Sequence, residues 1–198
     1  SFKYKTQERL KNLGRDVVVN NLNDCLCVSR NLKPLTFIDY LSMNKINKDF
    51  EEVIKGICDE CNKYDLPLIG GETSEMDIYK QDNMEIVGFI NCLSKKEDLF
   101  KISDVKKANI ILGIKTDNFS TNGFSLVRKV LECCDKDEIE LYINDILGTH
   151  KSYYNHLKKL YENDIYIHGA AHITGGGLVG NLKRVIPDGL NFKIIKST

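Results

Sequence analysis

The sequence lacks an excess of charge of either sign, and this absence argues against partners that attract proteins by charge. Its 198 residues carry 28 Lys and Arg against 28 Asp and Glu, so the formal net charge at pH 7 is zero. Proteins that bind nucleic acid or acidic membranes are drawn to them by a basic excess. We therefore expect neither nucleic acid nor a membrane among the partners of this chain.

Long apolar runs are also missing, and tryptophan and proline are scarce. No run approaches the roughly 20 residues that span a bilayer, and the first residues do not read as a signal peptide. Trp is absent and Pro occurs three times, while 42% of residues are hydrophobic and 28% charged. Such a balance is ordinary for a folded chain, and the length suits one large domain or two small ones.

Cysteine is present in an odd number, which argues against a disulfide framework. The seven cysteines are scattered, and most lie in apolar segments: Cys25, Cys27, Cys58, Cys61, Cys92, Cys133 and Cys134. We expect reduced, mostly buried thiols in a cytoplasmic protein. The pair Cys58-x-x-Cys61 has no partner pair and falls on the apolar stripe of a predicted helix, so it indicates core packing rather than a redox or zinc site.

Predicted strands and helices interleave along the chain, which favours an α+β class with α/β-type mixed sheets. In the first half, apolar spacing predicts helices over 14–28 (where 17–19 would also suit a strand) and 47–63, and strands over 35–40, 66–69 and 85–93. In the second half it predicts strands over 109–114 and 191–195 and helices over 122–134, 151–162 and 178–185. A charged stretch between them predicts domains over 1–103 and 104–198.

Two glycine-rich segments are candidates for holding a ligand. Gly70-Gly71-Glu72-Thr73 follows a predicted buried strand; its glycines would admit a close backbone approach, and its carboxylate could hold Mg²⁺. Thr174-Gly175-Gly176-Gly177 precedes a predicted helix and would form a phosphate cradle from backbone N–H groups. A plain turn remains the alternative at both places.

Acidic residues near the first predicted helix are a third candidate. Asp16 and Asp24 are eight residues apart, which on a helix leaves them on approximately one face, able to share a cation. A solvated charged surface is the alternative. Asp39 ends a predicted apolar strand and could be a ligand-binding carboxylate, a helix cap or a salt-bridge partner. His168 and His172 are spaced as a helical metal pair, but an evident third ligand is missing, so zinc is not favoured.

Five segments in order resemble the phosphoribosylformylglycinamidine cyclo-ligase (AIR synthetase) family. Residues 14–24 (GRDVVVNNLND) resemble its "GID…VND" segment, and 37–40 (FIDY) resemble "FLDY". Residues 70–76 (GGETSEM) resemble "GGETAEM", and 121–128 (TNGFSLVR) resemble "SNGYSLVR". Residues 171–177 (AHITGGG), followed by Asn181, Arg184 and Pro187, resemble "AHITGGG…N…RV.P".

The resemblance implies a fold and a reaction. It implies two domains per subunit, a homodimer whose first domains share a barrel, and a chain truncated at both ends with the second domain incomplete. It also implies that ATP phosphorylates the formyl oxygen of formylglycinamidine ribonucleotide, after which an amidine nitrogen closes the imidazole ring and phosphate leaves. Mg²⁺ would neutralise charge on the transferring phosphoryl group.

Carried over residue by residue, the resemblance also implies site roles. Asp24 and Glu72 would hold the metal, and Asn122 and His172 would contact substrate as catalytic residues. The remaining cofactor-binding positions, which would contact ATP, are Asp16, Gly70, Gly71, Thr73, Thr174, Gly175, Gly176 and Gly177. Of the family's N-terminal glycine-rich loop, at best Lys5-Thr6 lies in the matching region.

Overall fold

The computed structural model describes residues 6–80 and 83–195; Lys5 of the expected N-terminal loop region lies outside them. The first half contains α1 (Gln7–Cys25), β1 (Lys33–Met43), α2 (Lys48–Lys63), β2 (Leu68–Glu75) and β3 (Met84–Leu93). Two short 3₁₀ turns, Lys96–Asp98 and Ile102–Asp104, follow. The second half contains α3 (Phe124–Cys133), α4 (Lys136–Ile146), α5 (Tyr154–Glu162) and α6 (Gly177–Leu182). Within the described ranges, none of the helices has the length and apolarity needed to cross a bilayer.

The three strands form one mixed sheet with β1 in the centre. β2 runs parallel to β1 and β3 antiparallel to it. Because a parallel neighbour requires a crossover, the chain passes from β1 to β2 through α2. The predicted α+β class with a mixed sheet is therefore confirmed.

The core lies between this sheet and the pair of helices α1 and α2. Its members come from all three elements and from the turn before β2: Leu10, Val18, Phe37, Leu41, Val53, Ile57, Cys61 and Leu66. The prediction that Cys61 is a core residue is confirmed, and all seven cysteines are free thiols. The helices cross so closely that a Cβ on Gly14 would lie 2.0 Å from the Val53 carbonyl oxygen.

Local sequence signals account for the first helices. Asn47 precedes α2, and its side-chain oxygen accepts from the amide of Asp49 at 2.9 Å, as the predicted cap requires. At α1, the Thr6 hydroxyl accepts from the amide of Arg9 at 3.2 Å. The residues 17–19, for which a strand was an alternative, are helical, since Val18 and Val19 both point into the core.

The second half departs from the predicted elements. Residues 109–114 and 191–195 form no strand, because no strand among the described residues lies beside them to pair with. The apolar stripe of the predicted helix 122–134 is also not inward: Leu126 is 68% and Val130 53% exposed, and no residue of α3 is buried. Periodicity predicts the helix itself, but it cannot supply the surface that would cover it.

Hydrogen bonds and rings join the second half to the first. The Arg9 guanidinium donates to Asn144 Oδ1 of α4 at 3.0 Å. The Tyr154 ring of α5 packs edge-on against Tyr64, with centroids 5.6 Å apart. These contacts attach the start of α1 to α4 and the end of α2 to the start of α5.

Candidate active site

Two of the residues expected at the site meet directly. Asp24 lies in the last turn of α1, and His172 lies in the irregular segment before α6. His172 Nδ1 and Asp24 Oδ1 are 2.8 Å apart, although the residues are 148 positions apart in sequence. The His172 side chain is 10% exposed and that of Asp24 59% exposed. Asp24 therefore has one oxygen engaged by the imidazole while its carboxylate still faces solvent.

A thiol lies beside this pair. Cys27 Sγ approaches the Asn23 carbonyl oxygen at 3.6 Å, and the thiol also meets the backbone of His172. Burial raises the pKa of Cys27 to about 11. The thiol is consequently protonated near neutrality. Cys27 is only half-buried, and Cys61 alone of the seven cysteines is buried, so the expectation of mostly buried thiols is wrong.

Asp16 takes a partner different from that of Asp24. It is 8% exposed, and its Oδ1 accepts from the amide of His150 at 2.8 Å. Burial raises the pKa of Asp16 to about 7. The expectation that these two carboxylates lie on one face and share a cation is therefore wrong. Asp16 is buried and accepts from His150, whereas Asp24 is exposed and contacts His172.

Asn23, between them, fastens the two halves of the chain. Its side chain is buried; Nδ2 donates to the Lys151 carbonyl at 3.0 Å, and Oδ1 accepts from the Tyr153 amide at 3.1 Å. One side chain thus satisfies a backbone acceptor and a backbone donor on the segment that leads into α5. This pairing fixes the end of α1 against that segment.

The glycine-rich loop 174–177 is closed by Asn181. Asn181 is 2% exposed, and its Nδ2 donates to the carbonyls of Gly177 at 2.8 Å and Thr174 at 3.4 Å. The Gly177 amide donates to the Thr174 carbonyl at 2.9 Å, so this amide is engaged within the loop. Within the described ranges, the amides of Gly175 and Gly176 have no protein acceptor. Together with the Thr174 amide, which also donates to no atom of the described residues, they are the donors of this loop left for an anion.

Asn122 lies against the same loop. A Cβ built on Gly175 would be 3.9 Å from Asn122 Oδ1. Asn122 comes one residue after Thr121, whose amide donates to His150 Nε2 at 2.7 Å. The structure therefore brings the second predicted catalytic residue next to the predicted phosphate cradle.

The segment Gly70-Gly71-Glu72-Thr73 lies within β2 rather than after a strand. β2 runs to Glu75 and none of its residues is buried, so the expectation of a buried strand that ends at the glycines is wrong. Parallel pairing with β1 continues through them, with Gly71 opposite Asp39 and Glu72 opposite Tyr40. Glu72 Oε1 accepts from the Thr73 amide at 2.9 Å. Asp39 is mid-strand, so neither the strand-end placement nor the helix cap holds.

Asp39 and Gly71 are in unusually close contact. Asp39 is 8% exposed, its Oδ2 is buried without a partner in the described residues, and burial raises the pKa of this carboxyl. A Cβ on Gly71 would lie 1.8 Å from Asp39 Oδ1. Glycine is required here by the proximity of the carboxylate.

The predicted metal ligands come from different elements. Asp24 is at the end of α1 and Glu72 in the edge strand β2, and among the described residues no group of three or more His, Cys, Asp or Glu is arranged to hold a metal ion. Carboxylate oxygens are suitable Mg²⁺ ligands, and this ion is commonly held by one or two carboxylates together with substrate phosphates. Chemically, the exposed carboxylate of Asp24 fits such an ion.

His150 belongs to the site although the sequence does not single it out. It is 9% exposed and contacts both Asp16 and Thr121. Burial and then the nearby His172 lower the pKa of His150. Its partners are 134 and 29 residues away, so no local motif could reveal it.

Comparison with known proteins matches both halves of the chain to domains of one protein family. Residues 2–93 match the N-terminal domain of AIR synthase related proteins, and residues 106–195 match the C-terminal domain. A phosphoribosylformylglycinamidine cyclo-ligase of Pseudothermotoga lettingae is 37% identical over 194 residues, 94% of this chain and 56% of that one. One of Clostridium tetani is 35% identical over 198 residues, 96% of this chain and 58% of that one.

The chain spans about half the length of the curated relatives that it matches. Among solved structures, a thiamine monophosphate kinase from Aquifex aeolicus superposes with a TM-score of 0.48 and 17% identity, covering 76% of this chain and 49% of that one. This likeness is too distant to bear on function.

Proposed function

The chain belongs to the AIR synthase related proteins, and on that premise we propose that the protein containing it is an ATP-dependent cyclo-ligase. The reaction would be ring closure of formylglycinamidine ribonucleotide to aminoimidazole ribonucleotide, a step of purine biosynthesis. The curated relatives carry the name of this enzyme at 35–37% identity. The Asp24–His172 contact supports the proposal most directly, because it joins two of the family-like segments.

The proposal assigns separate tasks to the residues of the site. The amides of Gly175 and Gly176 would bind a phosphate group, because they have no acceptor within the described protein. Asn122, beside Gly175, and His172 would contact the substrate. Asp24 and Glu72 would hold Mg²⁺, which when bound would neutralise charge on the phosphoryl group.

The other properties of the full protein are part of the same proposal. We place a domain boundary after residue 103, between the two segments that match the family's domains. We further propose a homodimer in the cytoplasm. The outward face of β3 supports a second subunit, since Phe89 and Leu93 are each 59% exposed and large exposed apolar patches mark interaction surfaces.

The test is an assay of the full-length protein with ATP, Mg²⁺ and formylglycinamidine ribonucleotide, measuring ADP release and aminoimidazole ribonucleotide together. We expect ADP release only when all three are present. Asp24→Asn should lower kcat/KM by about 10- to 100-fold, the usual effect of disturbing a metal site. Asp188→Asn, at an exposed aspartate, is the matched control and should keep the parent rate.

Two other outcomes would each contradict the proposal. ADP release with a different small acceptor, and none with formylglycinamidine ribonucleotide, would indicate a small-molecule phosphotransferase that belongs to the same superfamily as the AIR synthetases. Nucleotide binding without turnover on any acceptor would indicate a catalytically silent, nucleotide-binding dimerisation module.

A further inference from the structure

Building on the proposed function, we propose that His150 is a positioning residue, which holds Asn122 at the substrate through the hydrogen bond from the Thr121 amide. His150 does not touch the glycine-rich loop in this role. It fixes the backbone immediately before the residue that does. The inference rests on the proposed function for the identity of the substrate and for the role of Asn122 in contacting it.

The hydrogen bonds of His150 define its tautomer. Nε2 accepts from the Thr121 amide at 2.7 Å, so this nitrogen carries no proton and the neutral ring has its proton on Nδ1. The backbone amide of His150 donates to Asp16 Oδ1 at 2.8 Å. The backbone of His150 is therefore bonded to α1, while Nε2 of its ring holds the segment that contains Thr121.

The segment that His150 holds has little support of its own. Residues 118–122 lie before α3 in neither helix nor strand. Two further hydrogen bonds attach it to residues 145–149, from Asn118 Nδ2 to the Thr149 carbonyl at 3.1 Å and from the Phe119 amide to the Asp145 carbonyl at 3.3 Å, beside a local one from the Thr116 hydroxyl to the Asn118 carbonyl. Both lie nearer the start of the segment. The bond to His150 is the last attachment before Asn122.

The position of Asn122 makes this attachment relevant to catalysis. Asn122 is exposed, and its Oδ1 lies 3.9 Å from the position that a Cβ on Gly175 would occupy. A side chain on an irregular, exposed segment keeps its direction only if the backbone is anchored. Misplacement of a substrate-positioning group by about 1 Å can cost on the order of 10²-fold in rate. Anchoring the Thr121 amide therefore determines whether Asn122 faces the loop.

Two substitutions separate this role from general stability. In His150→Gln the amide oxygen reaches nearly as far as Nε2 and can accept from Thr121, whereas in His150→Asn the amide reaches only as far as Nδ1. Both are neutral and polar. His156→Gln, at an exposed histidine of α5, is the control for loss of an imidazole elsewhere.

The experiment measures kcat and KM for formylglycinamidine ribonucleotide and for ATP in the full-length variants, with hydrogen exchange at the Thr121 amide. We expect His150→Asn to lower kcat/KM for the ribonucleotide by about 10- to 100-fold, with KM for ATP within about twofold of the parent, and to lose protection at Thr121. His150→Gln should recover most of both. His156→Gln should match the parent.

The outcomes distinguish this inference from the proposed function. If the parent does not turn over the ribonucleotide, the proposed function fails, while exchange at Thr121 still tests the anchor. Parent-like kinetics in His150→Asn would overturn the positioning role. Equal losses in the Asn and Gln variants, in proportion to a lowered Tm, would show a purely structural role and overturn it as well.

Discussion

Gly71 and Asp39 face each other across β1 and β2 at a separation that leaves no room for a side chain: a Cβ on Gly71 would lie 1.8 Å from Asp39 Oδ1. The carboxylate is buried and has one oxygen without a partner in the described residues. The backbone carbonyl oxygen of Asp39 would lie 2.8 Å from the same Cβ, so turning the carboxylate aside would not by itself make room for a side chain.

Gly71→Ala should lower the free energy of unfolding by about 1–3 kcal/mol, the usual cost of overpacking. Gly70 is the matched control, since a Cβ there meets nothing within 4 Å, and Gly70→Ala should be near neutral. Urea unfolding of the two variants provides the measurement. Equal effects at both positions would contradict the close contact.

Removing the Asn23 side chain should lower stability for a different reason, the loss of buried hydrogen bonds. Its buried amide satisfies the Lys151 carbonyl and the Tyr153 amide, and Asn23→Ala would leave both unpaired. Each unsatisfied buried group costs about 1–3 kcal/mol, so the variant should lose at least that much stability. Asn163→Ala, at an exposed asparagine, should lose much less. Denaturant titration measures the free energy of unfolding of both variants. A loss of stability in Asn23→Ala no larger than in Asn163→Ala would show that Asn23 does not hold the segment 151–153 against α1.

The effect of the contact between His172 and Asp24 can be tested separately from other roles of the His172 ring. His172→Asn can keep a donor near the place of Nδ1, which contacts Asp24, whereas His172→Gln places its amide near Nε2. If His172 orients a metal-binding Asp24, the Gln variant should need about 10- to 100-fold more Mg²⁺ for half-maximal activity, the usual effect of removing the partner of a ligand. The Asn variant should need less than the Gln variant. A greater Mg²⁺ requirement in the Asn variant would show that the contact does not act in this way.

Asp16 predicts a pH dependence of stability. Burial raises its folded-state pKa from 3.8 to about 7, so the folded state favours the protonated carboxyl. This contribution is fully present below the unfolded pKa near 3.8 and is lost as pH rises through about 7. The total is on the order of 4 kcal/mol, at about 1.4 kcal/mol per pKa unit.

Asp16→Asn keeps an acceptor for the His150 amide and cannot ionise. It should therefore be more stable than the parent at pH 8, and this advantage should shrink towards pH 4. Comparing the two proteins at each pH cancels the contributions of the other titrating groups. Unfolding free energies measured from pH 4 to pH 8 would test this, and a constant difference would show that Asp16 ionises normally.

The sequence predicts the first half well because its signals there are local. The apolar stripe of α2 and its Asn47 cap lie within a few turns of each other, and the alternation along β3 has the period of two that a half-buried strand requires. The capping box of α4, in which Asp135 and Glu138 bond each other's backbone, is a comparable signal that would have predicted that helix. The sequence also predicts the beginning of β2. It does not predict that the strand continues through two glycines, because pairing with β1 overrides the low strand propensity of glycine.

The second half and the site depend on distant partners. Ile110 and Leu112 are 84% and 85% exposed, so an apolar run of strand-like residues forms no strand without a neighbour to pair with. Asp24 and His172 could be proposed from the family resemblance, but their meeting depends on the way the chain returns to α1. His150 has no pattern around it, and only the fold shows that its ring accepts from Thr121.

The hydrogen bonds made by the middle and the end of α1 also constrain the order in which the chain can fold during its synthesis. Asp16, Asn23 and Asp24 find their partners 134, 130 and 148 residues further along the chain. At a synthesis rate of about 5–20 residues per second, these partners emerge roughly 7–30 s later. During that interval the nascent chain must be held together by the hydrophobic contacts of α1, α2 and the sheet. The three polar side chains of α1 stay hydrated until the second half has been synthesised.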